Sequence, residues 1–137
     1  MTFADARTQA YLSTKDIVLL ATINPDGAPL ITPMWFLHDP ASLTLISVEG
    51  TQKVKNLRRD PRLHIVAESG MRGDIQGVAV RGRAELLPDS ADRRALTTRL
   101  LDKYHPHLER LWGGRAMPAN RVMFRVVPDG VHTWGLG

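Results

Sequence analysis

Ile17-Val18-Leu19-Leu20-Ala21-Thr22-Ile23, with Asn24-Pro25-Asp26-Gly27 directly behind it, is a continuous apolar, β-branched run that ends in a turn signal. Such a run suits a buried strand. Pro25 presets φ for the turn, and Gly27 can take the positive φ that closes a hairpin with a bulge. The partner strand is expected over residues 29–37. After the turn at His38-Asp39-Pro40-Ala41, a third strand over residues 42–48 completes a meander. Residues 62–68 alternate, with Leu63, Ile65 and Ala67 on one face. In residues 77–87, Val78, Val80, Gly82, Ala84 and Leu86 share one side, and Arg81, Arg83 and Glu85 the other. Gly82 in mid-strand predicts a bend or bulge. Residues 121–127 form a last strand, which residues 131–134 extend past a turn at Pro128-Asp129-Gly130.

Helical signals are fewer. Residues 4–14 place Ala6, Ala10 and Tyr11 at helical spacing. Residues 52–59 are stopped by Asp60-Pro61. Asp89 or Ser90 caps a helix to about Tyr104, with Leu96, Leu100 and Tyr104 inward. Residues 105–117 hold a short helix closed by Gly113-Gly114. About six strands, many turns and no regular strand–helix alternation predict a mainly β chain. The expected fold is a small antiparallel β-barrel with helical insertions.

The 137 residues suit one domain, residues 1–137, and the 43 % hydrophobic content suits a packed core. There is no cysteine, which excludes disulfides, thiolate catalysis and Cys-ligated metal. No apolar run approaches the roughly 20 residues of a membrane span. Residues 1–10 lack the apolar core of a signal peptide, so the expected location is the cytoplasm. The net charge is +4. A nucleic-acid surface would need a basic face interleaved with aromatics, and the chain has only eight aromatic residues, so no nucleic-acid partner is expected.

No phosphate-binding glycine loop, dinucleotide fingerprint or nucleophile elbow occurs. His105-Pro106-His107 has a metal-like spacing without a third ligand, so no metal site is expected. The catalytic residues are therefore unknown, and a cofactor is expected to carry the hard chemistry. In Thr51-Gln52-Lys53-Val54-Lys55-Asn56-Leu57-Arg58-Arg59-Asp60-Pro61, Thr51 suits an N-cap and Val54 and Leu57 face inward. Lys53 and Lys55 lie in the first turn, where the helix dipole disfavours cations. A hydroxyl, free N–H groups and two lysines there make an anion site, typically for phosphate; equally, both lysines can simply extend into solvent. In Leu30-Ile31-Thr32-Pro33-Met34-Trp35-Phe36, Pro33 requires an edge, a bulge or a ligand. A flat aromatic ligand could lie along that strand, or its side chains could be core.

These segments, in this order, resemble the pyridoxamine 5′-phosphate oxidase-like family, and more narrowly its branch that binds the deazaflavin coenzyme F-420. Val78-Ala79-Val80-Arg81-Gly82-Arg83-Ala84-Glu85 fits the resemblance too. It implies a six-stranded antiparallel split β-barrel, homodimeric, with cofactor sites at the dimer interface. The phosphate would sit at Thr51, Gln52 and Lys53, with Lys55 in support. The ring would lie along Ile31, Thr32, Pro33, Met34 and Trp35, and the ribityl chain along Val48 and Glu49. Gln76, Val78 and Trp134 would close the far side from the other subunit. The family's deazaflavin carries a poly-glutamyl tail, to which Arg81 and Arg83 are suited. Many relatives carry a second basic residue near Thr51, where this chain has a neutral hydroxyl. The resemblance implies an F-420-dependent oxidoreductase passing a hydride between cofactor and an unsaturated small molecule. The alternatives are an FMN-dependent pyridoxamine-phosphate-oxidase-like enzyme and a non-catalytic flavin- or tetrapyrrole-binding protein.

Overall fold

A computed structural model describes residues 2–136. The elements run α1 (Ala6–Leu12), β1 (Val18–Ile23), β2 (Pro29–Met34), β3 (Phe36–His38), β4 (Leu43–Val48), α2 (Gln52–Arg59), β5 (Arg62–Ser69), β6 (Gln76–Leu86), α3 (Ala91–Lys103), α4 (His107–Trp112) and β7 (Arg121–Trp134). The seven strands form one antiparallel sheet in the order β2-β1-β5-β6-β7-β4-β3. The mainly β barrel class expected from the sequence is what the chain adopts.

The expected single strand over residues 29–37 is in fact two. Met34 ends β2 and Phe36 begins β3, and these strands occupy opposite ends of the sheet. One residue, Trp35, therefore joins the two edges, so the sheet curls round on itself. This replaces the expected meander, because β2 pairs with β1 whereas β3 pairs with β4. The junction is held from α3. The Phe36 N–H donates to Tyr104 Oη at 2.8 Å, and Lys103 Nζ donates to the Phe36 carbonyl at 2.8 Å. Those side chains satisfy backbone groups that an uninterrupted strand would give to a neighbour.

The expected turn at Pro128–Gly130 is a bulge. Arg81 pairs with Gly130 and Gly82 with Pro128, so Asp129 is the extra residue and β7 runs straight through. Arg81 Nε holds the Asp129 carboxylate at 2.7 Å. Gly82 is needed there, since a Cβ would sit 2.6 Å from the Val127 carbonyl oxygen. In α1 the buried residues are Thr8, Tyr11 and Leu12, while Ala6 and Ala10 are exposed. The larger apolar groups win the inward face because burial scales with area.

Two apolar clusters form. Inside the curl lie Leu20, Phe36, Leu45, Val54, Ile65, Val80 and Val126, among others. A second cluster joins Leu96, Leu100, Leu101 and Leu108 of α3 and α4 to Leu37 and Met123. No element covers Ile17, Leu19 and Ile31, which are 45 %, 40 % and 60 % exposed. Among the described residues, no helix is long and apolar enough to cross a membrane.

Candidate functional site

Helix α2 begins beside the end of β4. Thr51 occupies the N-cap position, but its hydroxyl makes no cap bond; it donates to the Val48 carbonyl at 2.9 Å. The first-turn amides of a helix have no intrahelical acceptor, so an uncapped start leaves donors pointing outward. Lys53 is half-buried and turned to this opening, whereas Lys55 is exposed. Two residues along a helix rotate a side chain by roughly 200°, which separates the two lysines.

A pocket of about 410 Å³ opens at this helix start. Pro33, Met34 and Trp35 of the β2–β3 junction line it, with Val48, Thr51 and Lys53. Six sequence-predicted residues thus meet in one place. Ile17, Ile46 and Ser47 also line it, and α4 supplies a wall of Leu108, Leu111 and Trp112, with Arg121 from β7. Leu108, Leu111 and Trp112 carry a local signal, since they fall at i, i+3 and i+4. Arg121 carries none.

The remaining expected residues lie elsewhere. Ile31 and Thr32 sit earlier on β2, outside the pocket lining. Glu49 is engaged by Arg58 at 2.7 Å. Gln52 turns its amide to Asn56 Oδ1 at 2.9 Å. Gln76 donates to the Gly135 carbonyl at 3.1 Å, and the Trp134 ring lies against Gly77. Val78 is 1 % exposed, with its side chain packed in the core cluster. Arg81 is committed to Asp129, while Arg83 is exposed beside it in a separate groove of about 480 Å³ along β1, β5 and β6.

The floor beneath Trp35 is stiff. Its ring stacks on Tyr104 at 4.4 Å and 6°. Tyr104 donates to the Asp16 carbonyl at 2.8 Å, and burial pushes its phenol up to about 12, so it keeps its proton. Burial likewise brings the Lys103 ammonium down to about 8, where it lies 3.7 Å over the Phe36 ring.

The donor set suits a phosphate-bearing planar group. Outward amides and Lys53 would supply an anion site, and Pro33, Met34 and Trp35 line the same opening as the apolar side chains of α4. The Thr32 hydroxyl, on the same strand, is buried without a partner. In such a slot FMN or coenzyme F-420 would supply hydride chemistry, while this chain's residues would bind and orient it.

The fold is shared widely. A conserved hypothetical protein of Mycobacterium tuberculosis is 27 % identical, with 96 % of this chain and 84 % of that one covered and a TM-score of 0.81. An F420 reductase is also 27 % identical, over 85 % of this chain and 88 % of that one, with a TM-score of 0.64. A heme storage protein of Vibrio cholerae shares the fold at 14 % identity, with 96 % and 94 % covered and a TM-score of 0.78. Residues 4–135 match the sequence family described as pyridoxamine 5′-phosphate oxidase. With the match spanning almost every residue of the sheet and its helices, the chain belongs to the pyridoxamine 5′-phosphate oxidase family.

Proposed function

We propose that the protein is an oxidoreductase using coenzyme F-420, with FMN as the alternative, to exchange a hydride with an unsaturated small molecule. The observation that carries this reading is the meeting of Pro33, Met34, Trp35, Val48, Thr51 and Lys53 at the uncapped start of α2. The likeness to an F420 reductase supports it. Thr51 and Lys53, with the first-turn amides of α2, would hold the phosphate, and Pro33, Met34 and Trp35 would lie along the ring. Val48 would flank the ribityl chain, and α4 would keep water from the ring. The pocket contains Lys53 and Arg121 but no carboxylate or histidine. Positioning and water exclusion are therefore this chain's contribution, and a proton comes from solvent or a hydroxyl.

The working unit is a homodimer. Ile17, Leu19 and Ile31 form an uncovered apolar strip on β1, β2 and the segment before them. A second copy would cover it and bring its Gln76 and Trp134 region to the open side of the site.

Titration of the apo-protein with F-420 and with FMN tests the reading. F-420 should bind more tightly, and Lys53→Ala should weaken it by about 1–3 kcal/mol, the range for losing a charged hydrogen-bond partner. An unchanged dissociation constant in that variant would remove the phosphate assignment, and tighter FMN binding would make FMN the cofactor. The reduced holoprotein should then be reoxidised by at least one member of a panel of enones and quinones. Silence across the panel would favour a carrier of flavins or tetrapyrroles.

A further inference from the structure

The start of α2 offers one lysine to a phosphate, which as the monoester of FMN carries a charge of about −1.5 to −2. Other cations nearby on α2 are already committed or turned away. Arg58 holds Glu49 at 2.7 Å, Arg59 donates to the Ile23 carbonyl, and Lys55 is exposed outside the pocket. The remaining cation in the lining is Arg121, which comes from the far end of the chain.

We propose that Arg121 is the second cation of the phosphate cradle, facing Lys53 across the start of α2. This rests on the cofactor reading above. Arg121 stands directly opposite Val48 in the β4–β7 ladder, so the two side chains share a face about 4.5–5.5 Å apart at Cβ. The Val48 carbonyl in turn receives the Thr51 hydroxyl at 2.9 Å. One residue on, the Glu49 N–H donates to the Asn120 carbonyl at 2.7 Å. The β4–α2 turn and the head of β7 are thereby stitched together, which holds Arg121 at the pocket rim. Its carbonyl is fixed from behind by Arg93 Nη2 at 3.2 Å.

Arg121 has capacity to spare. Among the described residues it forms no ion pair, and its one side-chain bond is from Nη1 to Asn120 Oδ1 at 2.6 Å. A guanidinium has five N–H donors in a planar fork that matches two phosphate oxygens, whereas an ammonium acts as a point charge. Asn120 thus orients the fork and leaves donors for a ligand. The neutral hydroxyl of Thr51 then leaves no deficit, because the compensating charge arrives from β7.

FMN and riboflavin differ only in the phosphate, so their affinities for wild type, R121Q, R121K and K55Q isolate this contact. R121Q should weaken FMN about 10- to 100-fold and leave riboflavin within about twofold. R121K should fall between, and K55Q should match wild type. Unchanged FMN affinity in R121Q, or equal weakening of FMN and riboflavin, would overturn the proposal. Inorganic phosphate, followed by amide shifts in NMR, separates this from the cofactor reading. If wild type binds no cofactor, the reading fails, yet shifts at Lys53 and Arg121 that vanish in R121Q would uphold the cradle. Absence of those shifts in wild type would overturn it. Matching urea midpoints in R121Q and wild type check that the variant folds.

Discussion

Asn56 is a fully buried polar residue on α2, and every one of its side-chain valences is used. Nδ2 donates to Thr22 Oγ1 at 3.1 Å and Asn24 Oδ1 at 2.9 Å, while Oδ1 accepts from Gln52 at 2.9 Å and Arg59 at 3.4 Å. It fastens the helix to the β1–β2 hairpin and so aims the α2 amides. Asn56→Ala leaves partners unpaired and should cost about 1–3 kcal/mol in urea unfolding. Lys103 makes a different prediction. Its folded value is about 8 against 10.5 for the free side chain. Between these pH values the unfolded chain carries a proton that the folded chain lacks, so this residue makes stability rise with pH from about 8 to 10.5. Tyr104 acts oppositely. Its folded value of about 12 exceeds 10.0, so its contribution falls above pH 10. The urea midpoint should climb from pH 8 towards 10, and Lys103→Met should flatten that climb. A wild-type midpoint that falls across that interval would contradict the assignment.

The elements divide by how local their causes are. Helix α2 was readable to its ends, since Asp60-Pro61 stops it and Thr51 precedes it. The split at Trp35 was not, because Pro33 signals an edge or a bulge without saying where the chain changes partner. What breaks it is a hydroxyl and an ammonium arriving from α3. The alternation of Met34 and Phe36 against Ile31 left two faces open, and the structure buries Met34 and Phe36 at 5 % and 0 % exposure. In β6 the bulge signalled by Gly82 was legible, though its extra residue proved to lie on the partner strand at Asp129. A Cβ at Gly82 would meet the Val127 carbonyl oxygen at 2.6 Å and Val126 Cγ1 at 3.1 Å. Gly82→Ala should therefore cost about 1–3 kcal/mol, the usual cost of overpacking. A thermal midpoint equal to wild type would show that β7 can shift freely.

For the whole molecule, the helices are unevenly placed. Helices α3 and α4 blanket the β3-β4-β7 side, while β1 and β2 leave Leu19 and Ile31 bare. A buried Leu or Ile contributes about 1.5–3 kcal/mol, so a strip of them repeated by symmetry would drive the self-association proposed above. Leu19→Glu combined with Ile31→Glu should yield a monomer in sedimentation velocity and should weaken cofactor binding, because the proposed second copy would no longer close the site. A dimer that survives both charges would move the interface elsewhere.

The sequence alone determined the strand-rich class, helix α2 with Lys53 in its first turn, and the absence of any cysteine chemistry. Each follows from composition or from a period that repeats within a few residues. The tertiary structure decided which edges Trp35 joins, which of Lys53 and Lys55 faces the pocket, and that Arg121 stands beside Thr51. Those depend on the pairing of β4 with β7 and on α3 reaching back to Phe36. Strand order is set by non-local ladders, and no local pattern in residues 43–48 names residues 121–126 as their partner.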